Sequence, residues 1–303
     1  MVQALSVPRV CQTCGGKKYL LDRQGDRAVA KVCGCSRPCP LCKGEGYVLS
    51  QSEATFSARV GARTYDVLTP CACKLLEKRV HRFNDANVPG VLARADFEGY
   101  RPISPGQDRA RQVSQSFAHA YRKDQPTKGF ILSGPVGTGK THLLAAAITH
   151  LVLELGVQAR YVEISLLYAQ IRRGFQDGKS GGEIIGPLSE VQVLAIDELG
   201  KGRGSPFELE TLDELIARRY NAGRTTLFGT NYSLDYDRSR AAPARKTHTS
   251  TEERGRENKD GELLRERTTD RIYSRLCEMC EFVQMPPDTP DMRRMKHELR
   301  GRS

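Results

Sequence analysis

The sequence predicts an α/β protein in which a parallel sheet is covered by helices on both faces and is preceded by a small cysteine-rich domain. A glycine-rich loop, GPVGTGKT, lies at 134–141 between an apolar strand pattern and a helical pattern. Further short apolar strands then alternate with helical patterns, which is the order typical of parallel sheets. Most of the ten cysteines precede residue 74 and mark the first domain.

The size and charge of the chain limit the classes of protein to which it can belong. Its 303 residues suffice for two folded units, which we place at 1–78 and 103–303, with a connector at 79–102. A formal net charge of +11 favours contact with nucleic acid or another polyanion. The N-terminus lacks a signal-peptide pattern, and the most apolar run, 143–155, is too short to span a bilayer. We therefore expect a cytoplasmic protein without a membrane partner.

The N-terminal cysteines form two tandem units, each of which opens with CxxC and closes with CxC. Four thiolates at such spacing are typical of structural zinc sites, and a reducing compartment favours metal binding over disulfides. We predict two zinc sites, formed by Cys11, Cys14, Cys33 and Cys35 and by Cys39, Cys42, Cys71 and Cys73. Crossed pairing between the units satisfies the same pattern, and free or disulfide-bonded cysteines are the simpler alternative.

The glycine-rich loop follows the strand GFILSG, 129–134, and precedes the helical pattern HLLAAAITHLVLELG. In this context GxxxxGK[ST] binds phosphates through backbone N–H groups and the helix N-terminus. We expect Lys140 to contact the β- and γ-phosphates of a nucleotide and Thr141 to coordinate Mg²⁺. The predicted nucleotide-binding residues of the loop are Gly134, Pro135, Val136, Gly137, Thr138, Gly139, Lys140, Thr141 and His142.

Two later strands end in polar side chains that suit phosphate chemistry. The strand in VQVLAIDELG, 191–200, ends in Asp197 and Glu198, and TTLFGTN, 225–231, ends in Asn231. We expect Asp197 to hold Mg²⁺ at the nucleotide and Glu198 to deprotonate the attacking water. Asn231 can reach the γ-phosphate or that water from the neighbouring strand. An ordinary acidic strand end and a turn-forming asparagine are the simpler alternatives.

The remaining segments complete the alternation and add a basic surface. Strands are predicted at 159–164 and 281–285, and helices at 165–175, 208–223 and 270–280. Candidate contacts to DNA phosphates are Arg172, Arg173, Lys179, Lys201 and Arg203, with Phe175 and Phe207 available to stack on bases. A solvated charged surface is the alternative. Residues 236–268 have few large apolar side chains, which predicts a disordered insertion.

Four segments occur in an order that resembles a known family. They are RFNDANVPGVLARADFEGY, GPVGTGKTHLLAA, VLAIDELG and LIARRYNAGRTTLFGTN. Residues 79–303 resemble the bacterial helicase-loader and IstB-like AAA+ ATPases of the DnaC/DnaI group. The resemblance implies an AAA+ domain that hydrolyses ATP with Mg²⁺ and acts on a replicative DnaB-type helicase and single-stranded DNA. One branch of the family binds the helicase through an N-terminal zinc module, a role that the resemblance assigns to the cysteine-rich domain.

The resemblance also implies that subunits self-associate, on binding ATP or the partner, and share arginines. The helix DRIYSRLCEMC, 270–280, occupies the place of the family's arginine-finger helix, with Arg275 as the first choice for the finger and Arg271 as the second. Arg293, in PDMRR, is the candidate for the sensor-2-like arginine that contacts the nucleotide. A surface ion pair and a solvated basic tail are the respective alternatives. The second cysteine unit and the insertion at 236–268 depart from the family pattern.

The function favoured by these observations is ATP-dependent loading or remodelling of a replicative helicase in DNA replication. An IstB-like transposition helper, whose partner is a transposase, is one alternative. A zinc-dependent chaperone or adaptor with a purely structural nucleotide site is another. The cysteine-rich domain favours the loader over the transposition helper, and Glu198 disfavours a protein that does not hydrolyse nucleotide.

Overall fold

The computed structural model describes residues 10–55, 62–125, 127–234 and 262–293. Its strands are β1 (Tyr19–Gln24), β2 (Arg27–Val32), β3 (Tyr47–Thr55), β4 (Ala62–Pro70), β5 (Gly129–Ser133), β6 (Ala159–Glu163), β7 (Val193–Asp197), β8 (Thr225–Thr230) and β9 (Cys280–Gln284). Its helices are α1 (Ala72–Asp85), α2 (Pro105–Ala120), α3 (Lys140–Thr149), α4 (Ile164–Gln176), α5 (Gly181–Glu190), α6 (Pro206–Asn221), α7 (Leu264–Arg267) and α8 (Asp270–Met279). No helix in these ranges is both long enough and apolar enough to cross a membrane.

The centre of the molecule is a five-stranded sheet in the order β6-β7-β8-β5-β9, in which all neighbouring strands are parallel. Strands β5, β7 and β8 lie in the interior of the sheet and are buried along their whole length. This explains their nearly continuous apolar sequences, because both faces of such strands meet helices. The predicted parallel α/β fold is therefore confirmed.

Two hydrophobic clusters cover the two faces of the sheet. Along β5, Phe130 and Leu132 belong to one cluster, whereas Ile131 belongs to the other, as the two-residue period of a strand requires. The first cluster contains residues of α1, α2 and α3, and the second contains residues of α4, α5, α6 and α8. Helices therefore form a layer on each side of the sheet.

The two cysteine units form two antiparallel hairpins, β1–β2 and β3–β4, with different environments. In the first hairpin, Tyr19, Ala28 and Ala30 are buried in the same cluster as α1 and α3. In the second hairpin, Leu49 and Leu68 lie opposite each other and are 73% and 62% exposed. The first hairpin is therefore part of the main core, whereas the second presents an apolar pair to solvent.

Helix α1 joins the cysteine-rich half to the rest of the chain. It begins immediately after Cys71 and ends at Asp85, so the predicted boundary between residues 78 and 79 falls inside a continuous helix. Val80 and Phe83 on this helix are buried in the first cluster. The main core therefore extends across the predicted connector and into the cysteine-rich half of the chain.

The structure also corrects the predicted insertion. The prediction of disorder over 236–268 is wrong for residues 262–268, whereas 236–261 lie outside the described residues. The N–H of Ser233 donates to the carbonyl oxygen of Glu262 (3.1 Å), and the N–H of Leu264 donates to that of Ser233 (2.8 Å). Leu264 is fully buried in the second cluster. Its apolar side chain therefore fixes the short helix α7 against the core, which outweighs the polar composition of the flanking residues.

Arg219 on α6 is fully buried and bonds to uncharged oxygens. Its guanidinium donates to the carbonyl oxygens of Leu188 (2.8 Å), Val191 (2.9 Å) and Thr225, and to the hydroxyl of Thr226 (2.9 Å). These acceptors lie at the end of α5, just after it, and at the start of β8. The last carbonyl groups of α5 have no hydrogen-bond partner within their own helix. The Arg219 side chain supplies donors to them and attaches the end of α5 to the sheet.

We expect Arg219→Met to destabilise the protein, because it leaves several buried carbonyl groups without donors. The expected loss is about 3 kcal/mol, which lowers the melting temperature by about 6 to 12 °C in a domain of this size. The matched control is Arg218→Met, which removes only an exposed ion pair with Glu214 (2.7 Å) and should cost less than about 1 kcal/mol. Equal melting temperatures for the two variants would contradict this role of Arg219.

Candidate functional site

A cavity of about 660 Å³ opens at the carboxyl ends of β5, β6, β7 and β8. In parallel α/β sheets this edge is the usual place for ligands. The cavity is lined by ten of the residues that the sequence predicts for the nucleotide site: Val136, Gly137, Gly139, Lys140, Thr141, His142, Asp197, Glu198, Asn231 and Arg293. Gly134, Pro135 and Thr138 complete the loop around Lys140. The loop, two strand ends and the C-terminal segment thus meet at one place.

The loop wraps around the side chain of Lys140, which is 7% exposed. The ammonium group donates to the carbonyl oxygens of Gly134 and Pro135, at 2.7 Å each. Burial lowers the pKa of Lys140 to about 8, against the opposing effect of the Asp197 carboxylate. A buried ammonium whose only partners are carbonyl groups is further stabilised when an anion binds beside it. The loop therefore places a buried positive charge beside the cavity, which suits an anionic ligand.

Gly139, the residue before α3, has a backbone conformation that the site requires. Its φ is +93°, and a Cβ atom there would lie 2.4 Å from the ring of Tyr100. The Tyr100 hydroxyl donates to the carbonyl oxygen of Thr138 (2.7 Å), which fixes this turn from outside. Only glycine combines this left-handed conformation with such a close approach, and the N–H groups at the start of α3 consequently face the cavity.

Asp197 is almost entirely buried, with 3% of its surface exposed. Its Oδ2 accepts a hydrogen bond from the Tyr161 hydroxyl (2.8 Å), and its Oδ1 accepts one from the N–H of Glu198 (2.9 Å). Burial, followed by the charge of Asp197, raises the pKa of Tyr161, so Tyr161 stays a donor. These two bonds hold the carboxylate in one orientation beside the loop.

Glu198 follows in an unusual backbone conformation, with φ of +57°. A non-glycine residue at positive φ is strained, and such residues cluster at functional sites. Its Oε2 accepts a bond from the Lys201 ammonium, which also lies 3.5 Å from Glu163 Oε1. Burial raises the pKa of Glu198, and the neighbouring Glu163 adds to this, whereas Lys201 opposes it. The carboxylate is therefore more basic than an ordinary glutamate.

Three residues of this site do not follow from the sequence patterns: Tyr161, Glu163 and Lys201. The first two belong to β6, where Glu163 pairs in register with Asp197 on the neighbouring strand. The hydroxyl of Ser165 donates to Glu163 (2.6 Å). Polar residues at the end of a predicted parallel strand are the signal that could have identified Tyr161 and Glu163. Lys201 has no comparable signal, because its role depends on the fold of the loop after Glu198.

The opposite wall of the cavity comes from the segment between α1 and α2. It contributes Pro89, Val91, Leu92 and Tyr100. The His142 ring lies beside Tyr100, with centroids 5.5 Å apart, and its Nε2 is 2.8 Å from the carbonyl oxygen of Asp96. This wall is mainly apolar, whereas the loop and strand ends are polar, a division that suits a nucleotide with a flat base and a charged tail.

The predicted arginines have different environments. Arg293 lines the cavity, and the neighbouring Met292 N–H donates to the carbonyl oxygen of Gly137 (3.1 Å), which holds the segment on the loop. Arg275 is 16% exposed and forms an ion pair with Asp213 (2.7 Å). Arg271 lies 3.6 Å from the same carboxylate but is 69% exposed. Of the two finger candidates, Arg271 is therefore the more accessible to a neighbouring molecule.

The predicted DNA-contact residues fall into two groups. Lys201 pairs with Glu198, and Arg172 pairs with Glu208 (3.4 Å), so local acidic groups already balance these charges. Arg173, Lys179 and Arg203 are exposed and form no ion pair within the described residues. Phe175 and Phe207 lie beside this surface in an edge-to-face contact, with centroids 6.0 Å apart.

The eight N-terminal cysteines form two clusters, with the pairing that the sequence predicts within each unit. In each cluster all four sulfur atoms lie within 4.8 Å of one another. Measured Sγ–Sγ separations are 3.5 Å for Cys14–Cys35 and 3.4 Å for Cys42–Cys73. Tetrahedral zinc with four thiolates places sulfurs about 3.8 Å apart, whereas a disulfide requires about 2.05 Å. The donor set and spacing therefore fit a metal ion.

The backbone of each CxxC turn prepares a thiolate. Hydrogen bonds from the N–H groups of Cys14 and Thr13 lower the pKa of Cys11 to about 6. In the second unit, those of Cys42 and Leu41 lower the pKa of Cys39 to about 6. Within the same clusters, the hydrogen bond with Cys14 raises the pKa of Cys35 to about 12, and the bond with Cys42 raises that of Cys73 to about 12. The first cysteine of each unit is therefore the one most readily present as the thiolate that zinc binds. Cys280, in the separate CEMC pair, is instead buried among apolar residues, and Cys277 is exposed.

Comparisons with known proteins place the chain among ATP-binding proteins. The IstB-like ATP binding protein family matches residues 78–240. The replicative helicase loader DnaC of Escherichia coli (strain K12) is 28% identical over 159 residues, which cover 52% of this chain and 64% of that protein. DnaC of Buchnera aphidicola subsp. Baizongia pistaciae (strain Bp) is 32% identical over 142 residues, which cover 46% of this chain and 56% of that protein. The chain thus spans less than two thirds of these relatives.

A solved structure supports the fold. The crystal structure of the DnaC helicase loader has a TM-score of 0.52 at 24% identity, and the match covers 65% of this chain and 99% of that one. Because the family match covers more than half of the sequence and includes the loop and both acidic residues, the chain belongs to the IstB-like ATP binding protein family, with an AAA+ fold of the DnaC type.

Proposed function

We propose that this protein is an ATPase that loads or remodels a replicative, DnaB-type helicase on single-stranded DNA. The observation that carries the proposal is the convergence of Lys140, Asp197 and Glu198 on one cavity. Relatives named replicative helicase loaders supply the choice of partner. The two four-cysteine clusters are proposed to hold one zinc ion each, because their sulfur spacing fits tetrahedral thiolate coordination.

In the proposed site, each polar residue has one task. Lys140 exchanges its carbonyl partners for the β- and γ-phosphates of ATP, and the N–H groups at the start of α3 bind the same phosphates. Thr141 and Asp197 hold Mg²⁺, which supplies neutralising charge at the triphosphate. Arg293 adds positive charge from the C-terminal segment. The apolar wall containing Val91 and Tyr100 receives the base.

Glu198 is the proposed general base. Its raised pKa makes it a better proton acceptor than an ordinary carboxylate, and its strained backbone aims the side chain into the cavity. Lys201 donates to this carboxylate and so holds its orientation at the edge of the cavity. Asn231, on the strand between β5 and β7, orients that water or contacts the γ-phosphate.

A neighbouring subunit is proposed to complete the site. Phosphoryl transfer develops charge on the far side of the γ-phosphate, where an arginine supplied in trans is worth about 10³ to 10⁵ in rate. The exposure of Arg271 and the ion pair of Arg275 with Asp213 favour Arg271 for this task, in contrast to the order that the sequence suggests. Arg275 then serves to attach α8 to α6.

The proposed partners use two separate surfaces. Arg173, Lys179 and Arg203 contact the phosphates of single-stranded DNA, with Phe175 available to a base, because this exposed surface is basic and lies beside aromatic rings. The helicase contacts the second hairpin, where Leu49 and Leu68 expose apolar surface that the chain itself leaves uncovered in the described residues.

A transposition helper is the second candidate function, because the matched family is named for IstB. Its partner would be a transposase rather than a helicase. The two cysteine clusters favour the loader, since they add a partner-binding module that a plain transposition helper does not need. The identity of the captured partner decides between the two functions.

The general-base assignment predicts that Glu198→Gln retains ATP binding but hydrolyses ATP about 10² to 10⁴ times more slowly. Lys140→Ala should instead bind ATP at least about tenfold more weakly, because it removes a charged phosphate contact. Glu214→Gln, which changes an exposed glutamate of α6, is the matched control and should behave as wild type. Binding is measured by calorimetry and turnover by phosphate release. Normal turnover in Glu198→Gln would remove Glu198 from this role.

The shared site predicts different defects for the two arginines of α8. Arg271→Ala should fold normally and bind ATP, but its assembly-dependent turnover should fall by about 10³ or more. Arg275→Ala should lower the melting temperature, because Asp213 loses its closest partner. Mixing Arg271→Ala with Lys140→Ala should restore activity, since an intact loop can then face an intact arginine. Full activity of Arg271→Ala, or no recovery in the mixture, would contradict the assignment.

The loader function predicts a complex with the replicative helicase of the same organism and ATP-dependent deposition of that helicase on circular single-stranded DNA. Gel filtration of the mixture measures both. The double variant Leu49→Ser, Leu68→Ser should weaken helicase capture, whereas Ile103→Ser, at an exposed apolar residue outside the hairpin, should not. Capture of a transposase in place of the helicase would instead support the second candidate function.

A further inference from the structure

We infer that the two cysteine clusters have different roles, and that the first supports the wall of the nucleotide cavity, so that zinc binding at the first cluster and ATP binding strengthen each other. This inference rests on the zinc sites and the ATP site proposed above. Zinc binding at the second cluster is not expected to affect ATP binding. The first cluster would then belong functionally to the ATPase domain rather than to a separate partner-binding head.

The first hairpin bonds directly to the cavity wall. The N–H of Ala28 donates to the carbonyl oxygen of Val88 (2.8 Å), and the N–H of Gly90 donates to that of Asp26 (2.7 Å). Arg27 and Pro89 form an antiparallel bridge between these bonds. Pro89, Val91 and Leu92 line the cavity. The turn of the first hairpin therefore bonds to the backbone of residues 88–90, next to the residues that line the cavity.

The contact leaves little space for a side chain at residue 90, so even a methyl group there would push the wall and the hairpin apart by a few tenths of an ångström. A Cβ atom on Gly90 would lie 3.0 Å from the carbonyl oxygens of both Gly25 and Arg27, and 2.9 Å from Cγ of Arg23. Two of these atoms belong to the hairpin backbone, which cannot move aside as a flexible side chain can. The backbone of the wall at residue 90 therefore packs directly against the backbone of the hairpin turn.

The first cluster closes the other end of the same hairpin. Cys14 precedes β1 and Cys33 follows β2, and the N–H of Cys33 donates to the carbonyl oxygen of Lys18 (2.8 Å). Packing against α1 already orders the two strands, and a metal ion at the open end would add a further constraint by fixing Cys14 and Cys33 together. Losing that ion would loosen the turn that holds residues 88–90.

The flank of the hairpin also contacts α1 and the helical segment that continues α3. The Asn84 side chain on α1 bonds to both the N–H (2.7 Å) and the carbonyl oxygen (3.2 Å) of Ala30. The Tyr19 hydroxyl donates to Glu154 (2.6 Å), in the π-helical turn that continues α3. Because α3 begins at Lys140, the hairpin touches the far end of the helix whose start binds phosphate.

Within the described residues, the second cluster makes no hydrogen bond to the cavity wall. It is attached instead to the start of α1, because Cys71 precedes that helix and Cys73 lies in its first turn. In its hairpin the Thr69 hydroxyl donates to the carbonyl oxygen of Val48, and the N–H of Cys71 donates to that of Gly46. Leu49 and Leu68 face solvent. The two units are alike in sequence, yet only the first is built against the cavity wall, which provides an internal comparison.

Coupling between two binding sites is reciprocal, so it can be measured from either side. If zinc at the first cluster strengthens ATP binding by some factor, ATP must strengthen zinc binding there by the same factor. Typical coupling factors lie between about 5 and 150. Zinc release is the better measurement, because it reports on the two clusters in one wild-type protein and needs neither helicase nor DNA.

The experiment begins with metal analysis of the full chain, which should find two zinc ions. Zinc release to a colorimetric chelator is then followed with and without a non-hydrolysable ATP analogue. The analogue should slow the release of one ion by about tenfold and leave the other unchanged. Cys35→Ser should abolish the protected phase, which assigns it to the first cluster, whereas Cys73→Ser should abolish the unprotected phase.

A second variant tests the contact without touching a metal ligand. Gly90→Ala should keep both zinc ions but lose the protection by the ATP analogue, because its methyl group separates the wall from the hairpin. Gly186→Ala is the matched control, since a Cβ at residue 186 meets no atom within 4 Å, and it should keep the protection.

The outcomes separate this inference from the proposed function. Failure of wild-type protein to bind the analogue would overturn both. Binding of the analogue without protection, or equal protection of both ions, would overturn the coupling alone. Absence of zinc would overturn the zinc proposal and the inference together, and leave the ATPase assignment standing. Full protection in Gly90→Ala would show that the hairpin contact does not transmit the effect.

Discussion

Lys140 holds a positive charge in a part of the molecule that is almost closed to water, and its ammonium bonds to two carbonyl groups of its own loop. A buried charge is stable only where fixed dipoles or opposite charges face it. The parallel sheet supplies both, because β5 leads into the loop and β7 ends at Asp197 with β8 between them. The buried strands, the bent loop and the orientation of Asp197 all serve this one requirement.

The supports of this site come from outside the sheet as well as from within it. Tyr100 fixes the turn at Thr138, Met292 ties the C-terminal segment to Gly137, and Tyr161 orients Asp197. Each support bonds to a backbone group or a carboxylate, and each comes from a different part of the chain. The loop and the Asp197 carboxylate are thus held in place by residues from distant parts of the chain.

The sequence predicts the parts of this protein that depend on local patterns. The strand before the loop, the alternation of strands and helices, and the pairing of cysteines within each unit can be read from spacing and periodicity. The sequence patterns do not predict helix α5, because its glycines and Pro187 are unfavourable in a helix, although the capping box of Ser180 and Glu183 indicates its start. The docking of Ala28 on Val88 has no sequence signal, because a backbone contact between distant residues leaves no periodic pattern.

The continuity of α1 has a practical consequence for dividing the molecule. A truncated chain that begins at residue 79 would keep only the second half of this helix and would uncover Val80 and Phe83. It would also remove Asp26 and Ala28, the bonding partners of residues 88–90. Loss of ATP turnover in such a fragment would then have two explanations, the exposure of core residues and the loss of a partner contact, and would not distinguish between them. Deletion of the second hairpin, β3–β4, alone would leave those residues in place. This deletion therefore removes part of the cysteine-rich half with the least damage to the core.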